Sequence, residues 1–199
     1  LKKIKVRLPQ LWRKWQKIFR TQILTWLGKS DADRWAKAEN LYSHWNQRTE
    51  TLASWVEENA RVLEFGAGKL QLEPCLKEGV VYMHTDIVAR REDTLVCDLN
   101  LEPLPDFPKH DYAVFSGVIE YLHKPEKVLE KIRQEGSHHV VGSYAHPLEH
   151  HGKFFRQEQG WVNVYSKAEL DDLFEAQGYR LVREEFWEDQ RLFHFLREQ

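Results

Sequence analysis

The spacing of hydrophobic residues divides the chain into two parts with different periods. Before residue 60, apolar positions recur in steps of three and four, which is the spacing of a helix with one buried face. Residues 9–27 predict such an amphipathic helix, and Gly28 is a suitable stop. A second helical stretch begins near Ser30, and a third ends near Glu58. The second stretch places on one face Trp35, Ala38, Tyr42 and Trp45.

From residue 61 onward, short apolar strands alternate with helices. The predicted strands are 61–65, 80–85, 94–97, 111–116, 138–144, 180–186 and 191–197, and the predicted helices are 69–77, 125–134 and 167–177. This alternation is typical of an α/β protein with a doubly wound, mostly parallel sheet. The last two strands are joined by a turn too short for a crossover helix, so we expect an antiparallel hairpin at the sheet edge. The chain thus divides into an N-terminal helical extension, residues 1–58, and an α/β domain, residues 59–199.

The segment RVLEFGAGKL, residues 61–70, carries the first candidate chemistry. Glu64 closes the first strand, and Gly66 and Gly68 follow in a tight turn. A strand, a glycine turn and a helix together form a nucleotide pocket, because glycine lets the backbone approach the ligand and a helix N-terminus offers free N–H groups. The dinucleotide fingerprint needs a third glycine, and Gln71 stands at that position. The loop therefore predicts a nucleotide-like ligand without choosing one.

Two acids extend this pattern. Asp86 ends the second strand, 20 residues after Gly66, where a carboxylate can bind both hydroxyls of a ribose. Asp98 ends the third strand, from which it could reach an adenine amino group. The fourth strand then runs into a polar rim at Ser116 and Gly117.

In these features the chain resembles the class I S-adenosylmethionine-dependent methyltransferases, particularly their small type-11-like group. The resemblance covers roughly residues 40–199 and is carried by the segments VLEFGAG, HTDI, VCDLNLEPLP, DYAVFSGVIEYLHKPEKVLEKI and YSKAELDDLFEAQGYRLV. It implies a Rossmann-like sheet of seven strands that ends in an antiparallel strand. Leu70 replaces a third glycine that is common in the family's first loop. This difference affects the expected shape of the loop more than the expected identity of the cofactor.

The resemblance also implies which residues bind S-adenosylmethionine. The methionine end of the cofactor would contact Glu64, Gly66 and Gly68. Its ribose would be bound by Asp86, and its adenine by Asp98 and Leu99. The pocket near the sulfonium would be lined by Ser116 and Gly117.

Histidines are the candidate groups for assisting the methyl acceptor. A neutral imidazole can take the proton of an alcohol near pH 7. His146 follows the fifth strand directly and is the favoured catalytic residue, as a base or a positioning donor. Two further histidines follow it, and the simpler interpretation of this cluster is a solvated loop. His123, after the fourth strand, is the second candidate. No metal is expected, because these histidines lack the accompanying pattern of Cys and carboxylate ligands.

The function that these residues favour is methylation, with oxygen as the accepting atom of a small molecule, a sugar or a lipid-linked glycan. One alternative is a methyltransferase-like binding module without catalysis. Another is a nicotinamide-dependent oxidoreductase, against which Glu64 and the missing third glycine argue. An acidic body and the absence of an Asn/Asp-Pro-Pro-aromatic motif argue against nucleic acid as a partner.

Charge is distributed unevenly along the chain. Residues 1–30 contain nine Lys or Arg and no acid, whereas the remainder carries 20 basic and 31 acidic residues, a net charge of −11. The basic helix of residues 9–27 therefore predicts contact with an anionic membrane surface or an acidic partner. The alternative is that its aromatic residues pack on the body or in a homodimer. Cys75 and Cys97, interpreted as two buried thiols, indicate a cytoplasmic protein, peripheral at the membrane if the helix binds there.

Overall fold

The computed structural model describes residues 8–145 and 152–198, and within them the chain forms one seven-stranded sheet. The strand order is β3-β2-β1-β4-β5-β7-β6, parallel except for β7, which is antiparallel to both of its neighbours. The strands are β1 (Arg61–Phe65), β2 (Val81–Asp86), β3 (Leu95–Val96), β4 (Tyr112–Ser116), β5 (His139–Ala145), β6 (Tyr179–Trp187) and β7 (Gln190–Arg197).

Helices cover the two faces of this sheet and its carboxyl edge. The α-helices are α1 (Leu8–Leu27), α2 (Ala32–Trp35), α3 (Asn46–Ser54), α4 (Pro125–Gln134), α5 (Lys153–Gln159) and α6 (Lys167–Glu175). Single 3₁₀ turns lie at Ala38–Asn40, Ser43–Trp45, Glu73–Cys75 and Ile119–Tyr121. None of the helices formed by the described residues combines the length and the apolarity needed to cross a bilayer.

Alternation along the central strands builds a core on each face of the sheet. Val62 packs in a cluster with Leu52 of α3, whereas its neighbour Leu63 packs in a second cluster with Val128 of α4 and Phe174 of α6. Successive side chains of a strand point to opposite faces, so a strand that is covered on both faces must be apolar throughout. The doubly wound, mostly parallel sheet and the hairpin at its edge are confirmed.

Two predicted helices differ from the structure. The helix expected at 69–77 is wrong: Leu70 adopts a positive φ of 58°, which ends any helix there, and only the 3₁₀ turn Glu73–Cys75 forms. The second stretch, from Ser30 to Trp45, is broken into short pieces. The side chain of Asn40 donates to the carbonyl oxygen of Arg34 at 2.7 Å, in place of a continuing helical hydrogen bond.

The prediction that both cysteines are buried is confirmed for one of them. Cys97 is buried, but Cys75 is half-buried. Burial raises the pKa of the Cys97 thiol to about 11, so this thiol is protonated at neutral pH.

The proposed division of the chain between residues 58 and 59 stays a prediction. Residues on both sides of it line the cavity described below.

Candidate functional site

A cavity of about 410 Å³ lies at the carboxyl ends of β1, β2 and β4. In open α/β sheets, ligands bind at this edge, and a volume of this size suits a small organic molecule. All eight residues predicted to bind the cofactor line this cavity: Glu64, Gly66, Gly68, Asp86, Asp98, Leu99, Ser116 and Gly117.

The loop after β1 needs its glycines for conformation and for space. Gly66 and Gly68 both have positive φ, +69° and +56°, a region that glycine enters without the steric cost of a Cβ. A Cβ on Gly66 would also lie 2.7 Å from Cγ2 of Val118. Glycine at position 66 thus makes room for Val118, and the backbone of Gly66 and Gly68 lines the cavity.

Asp86 is buried at the end of β2 and binds the glycine loop directly. Its Oδ2 accepts a hydrogen bond from the backbone N–H of Gly68 at 2.8 Å. Its Oδ1 accepts from the backbone N–H of Val88 and from the guanidinium of Arg90, both at 3.0 Å. These bonds fix the orientation of the carboxylate and connect the ends of β1 and β2.

Glu64 is a buried carboxyl group at the end of β1. It accepts a hydrogen bond from the hydroxyl of Tyr82 at 2.5 Å. Burial is the largest influence on its acidity and raises the pKa of Glu64 to about 8, with the nearby charge of Asp86 acting in the same direction and that of Arg48 opposing it. The site therefore holds an acid that is mostly neutral at pH 7 and would ionise beside a bound cation.

Arg48 is the most important residue that the sequence analysis missed. Its guanidinium is buried and donates to Oε1 of Gln190 at 2.8 Å and to the carbonyl oxygen of Ser116 at 3.1 Å. A Cβ on Gly117 would lie 2.7 Å from Nη1 of Arg48, so glycine makes room for the guanidinium. Burial lowers the pKa of Arg48. The sequence signal was a charged residue four positions before Leu52, on the buried face of α3.

Four buried atoms of residues that line the cavity have no hydrogen-bond partner among the described residues. They are Nε of Arg48, Oγ1 of Thr85, Nε of Arg90 and Oε2 of Glu120. The other oxygen of Glu120 accepts the backbone N–H of Ala145 at 2.7 Å, which ties the end of β4 to the end of β5. Burial raises the pKa of Glu120. An unpaired buried polar atom is costly, so these four atoms point to a polar ligand.

The N-terminal extension forms a wall of the cavity. Arg34 donates to the carbonyl oxygens of Gln159 and Glu158 at 2.7 and 3.0 Å, which satisfies the C-terminal end of α5. The ring of Trp35 packs edge-on against Tyr121, with 4.8 Å between centroids. The extension and the segment after β5 are therefore held together over the carboxyl edge of the sheet.

Asp98 lies on the same wall. It accepts a hydrogen bond from the hydroxyl of Ser30 at 2.5 Å and from the backbone N–H of Asn100 at 3.0 Å. Asn100 in turn donates to the hydroxyl of Ser30 at 2.8 Å and to the carbonyl oxygen of Tyr121 at 2.8 Å. This network joins the extension to the loop after β3.

Of the two predicted catalytic histidines, the structure describes His123 and not His146. His123 is not among the described residues that line the cavity, and its Nε2 lies 3.4 Å from the carbonyl oxygen of Lys29. His146, with His150 and His151, lies outside the described residues. The assignment of either histidine to catalysis therefore stays a prediction.

Comparison with known proteins identifies the family. A family model described as a methyltransferase domain matches residues 35–184, and no curated protein matches the chain. Among solved structures, a chain of the complex between the Haloferax volcanii Trm112 methyltransferase activator and a methyltransferase has a TM-score of 0.69 and 16% identity, covering 86% of this chain and 99% of that one.

Two further structures are similar and contain S-adenosylhomocysteine. The magnesium protoporphyrin IX methyltransferase of Synechocystis PCC 6803 has a TM-score of 0.62 and 13% identity, covering 83% of this chain and 94% of that one. The Burkholderia thailandensis 1,6-didemethyltoxoflavin-N1-methyltransferase has a TM-score of 0.61 and 15% identity, covering 78% and 79%. Because the family model matches most of its length, the chain belongs to the methyltransferase domain family, as an S-adenosylmethionine-dependent class I methyltransferase.

Proposed function

We propose that the cavity binds S-adenosylmethionine through the residues that line it, and that the protein transfers the methyl group to an oxygen of a small molecule, a sugar or a lipid-linked glycan. The observation that carries the proposal is the charge pattern beside the glycine loop, where Glu64 lies with Arg48 and its unpaired Nε. The methionine end of the cofactor is a zwitterion with an ammonium and a carboxylate, and this pair of opposite charges matches it.

The remaining lining residues fit the other parts of the cofactor. Asp86 would accept hydrogen bonds from the ribose hydroxyls, since it is buried at the cavity and oriented by Gly68 and Arg90. Asp98 and Leu99 would contact the adenine, as the family resemblance implies. The pocket near the sulfonium would be lined by Ser116 and Gly117, as the family resemblance implies, and both residues line the cavity.

Positioning is the main contribution that we assign to the protein. The bound cofactor supplies a sulfonium methyl group that is already activated for transfer. Most of the rate acceleration is therefore expected from holding the acceptor atom about 3 Å from the methyl carbon and in line with the bond that breaks. The aromatic residues of the cavity supply apolar surface for the body of the acceptor, among them Trp45, Tyr121 and Trp161. The acceptors named for two similar structures, 1,6-didemethyltoxoflavin and magnesium protoporphyrin IX, are small organic molecules, which agrees with an acceptor of this class.

Calorimetry with the Asp86→Ala variant tests cofactor binding. We expect the wild-type chain to bind S-adenosylmethionine and the variant to bind about tenfold more weakly, because a charge-assisted hydrogen bond contributes about 1.5–3 kcal/mol. Asp106→Ala is the matched control, since Asp106 is an exposed acid paired with Lys131 outside the cavity. Heat from NAD and none from S-adenosylmethionine would reverse the proposal in favour of the oxidoreductase.

Turnover measurements test the group that receives the acceptor proton. With a responsive acceptor, found by methyl uptake from labelled cofactor in fractionated extract, we expect His146→Ala to lower turnover by more than about tenfold with cofactor affinity intact. His146→Gln separates a base from a positioning donor, because glutamine keeps hydrogen bonding but does not accept a proton. Turnover within threefold of the parent in both variants contradicts the assignment.

Glu120→Gln is the companion variant for the same assay. Glutamine retains an oxygen for the N–H of Ala145 but carries no charge, so the fold should persist. If Glu120→Gln loses turnover while the His146 variants retain it, the proton goes to Glu120. If the chain binds the cofactor and transfers no methyl group to any fraction, the binding-module alternative replaces the enzyme.

A further inference from the structure

Helix α1 presents a continuous apolar face to the solvent. With about 100° between successive residues, seven of its eight large exposed apolar side chains fall within an arc of about 120°, and Leu27 lies about 40° beyond it. The seven are Leu8, Leu11, Trp12, Trp15, Phe19, Ile23 and Trp26. The exposed fractions are 66% for Trp12, 57% for Phe19 and 85% for Trp26. Phe154 of α5 extends this apolar face, since its ring lies 5.5 Å from that of Trp15 and is itself exposed.

A different side of α1 holds the helix on the protein. Ile18 and Thr21 are its buried residues, and the Thr21 hydroxyl donates to the carbonyl oxygen of Gln157 at 2.7 Å. Lys14 forms an ion pair with Glu158 at 3.0 Å. The apolar face is therefore not the main packing face. The alternative interpretation is that Trp12, Trp15 and Phe19 pack on the body or in a homodimer. In the described structure Trp12 and Phe19 are exposed, whereas Trp15 contacts Phe154 of α5.

Positive charge accompanies the apolar face. Arg13 and Lys17 are exposed on α1, and no acid occurs among residues 1–30. The remainder of the chain has a net charge of −11. Arg13 and Lys17 lie about 140° and 180° from the centre of the stripe, on the polar side of α1. An apolar face rich in tryptophan with Lys and Arg on the other face is the composition of helices that lie in the interface of an anionic bilayer.

We propose that α1 docks the protein on an anionic lipid bilayer, with Trp12, Phe19 and Trp26 inserted at the level of the headgroups. A second copy of the chain fits this face less well, because two basic helices brought together by a symmetric contact would repel each other. The positive charge of residues 1–30 is complementary to a surface that is negative over a large area, as an anionic bilayer is.

The position of α1 connects docking to the proposed function. Thr21 and Leu24 line the cavity and lie about 140° and 160° from the centre of the apolar stripe, on the far side of the helix. Phe155 and Trp161, from the segment that α1 packs against, line the same wall. A docked α1 would therefore hold this wall of the cavity about 10 Å, one helix diameter, behind the inserted side chains. The acceptor class that follows is a lipid-linked molecule, and this step rests on the proposed methyl transfer, whereas docking itself does not.

Co-sedimentation of the full chain with vesicles tests docking without any methyl transfer. We expect binding to vesicles of equal parts phosphatidylcholine and phosphatidylglycerol, weakening with added salt, and little binding to phosphatidylcholine alone. The triple variant Trp12→Ser, Phe19→Ser, Trp26→Ser should lose at least tenfold in vesicle affinity. Arg13→Glu with Lys17→Glu should do the same through charge.

Two controls keep the result specific to α1. Lys109→Glu reverses one positive charge, half of the change in the double variant, just before β4 at the opposite edge of the sheet, and should leave binding unchanged. Thermal unfolding of each variant checks the fold. The proposal is overturned if the parent ignores anionic vesicles, or if the triple variant binds them as the parent does. It is also overturned if light scattering shows a dimer that the triple variant converts to a monomer while neither binds vesicles.

Discussion

Replacing Arg48 with methionine is expected to lower the affinity for S-adenosylhomocysteine about 100-fold, since a buried guanidinium that binds a carboxylate through two hydrogen bonds contributes several kcal/mol. The side chain is preoriented for this contact. Its two terminal nitrogens donate to Gln190 and Ser116, and its Nε has no partner among the described residues. Arg48→Lys should recover part of the loss, because lysine restores the charge without the planar fork.

A shorter ligand separates this contact from general damage to the cavity. 5′-Methylthioadenosine retains the adenosine and the sulfur but has neither the carboxylate nor the ammonium. Calorimetry should therefore show that Arg48→Met binds it as the parent does, within about twofold. Arg61→Met serves as the control, because Arg61 pairs with Asp111 outside the cavity. Equal losses for both ligands, or a loss below threefold for S-adenosylhomocysteine, would remove Arg48 from the cofactor site.

Local patterns in the sequence were sufficient for the sheet and for the glycine loop. The strand at 61–65 has the same bounds in the structure, and the helix at 125–134 likewise, because alternation and helical spacing are properties of short segments. The position of Asp86 and Asp98 at one edge of the sheet could also be predicted from local patterns. Each acid follows a strand, and the carboxyl ends of parallel strands share one edge.

The missed features depend on contacts between distant parts of the chain. Arg48 reaches Ser116 across 68 positions of sequence, and Arg34 reaches Gln159 across 125. No local pattern encodes such a pairing. The predicted helix at 69–77 failed for a related reason, since the positive φ of Leu70 depends on the loop that encloses the cavity rather than on the helix propensity of the segment.

The pH dependence of cofactor binding follows from Glu64, whose pKa burial raises to about 8. At pH 7 this group is mostly protonated, and a bound ammonium and sulfonium favour its ionised form. We therefore expect binding to release a proton, and affinity to rise by up to about tenfold per pH unit toward pH 8, then to level off. Tyr82 donates a hydrogen bond to Glu64 and stabilises its ionised form, as does the charge of Arg48, whereas Asp86 and Glu73 oppose ionisation.

Calorimetry in two buffers of different ionisation enthalpy measures the released proton. The ligand's own amino group also titrates near this range, so the part of the pH dependence that belongs to Glu64 is the part that Glu64→Gln removes. If the parent and Glu64→Gln release the same number of protons, Glu64 does not ionise on binding.

The Glu64→Gln variant should also change stability and affinity in opposite directions. A carboxyl group whose pKa is raised by folding contributes stability that is present below its unfolded value and is lost as the pH rises through about 8. At pH 8 the ligand-free variant should therefore unfold at a higher temperature than the parent, because glutamine has no charge to desolvate. Its affinity for S-adenosylhomocysteine should nevertheless be about 100-fold weaker, since the counter-charge of the ammonium is gone. A misfolded cavity would lower both quantities together, so a variant that is less stable and binds less ligand contradicts this role for Glu64.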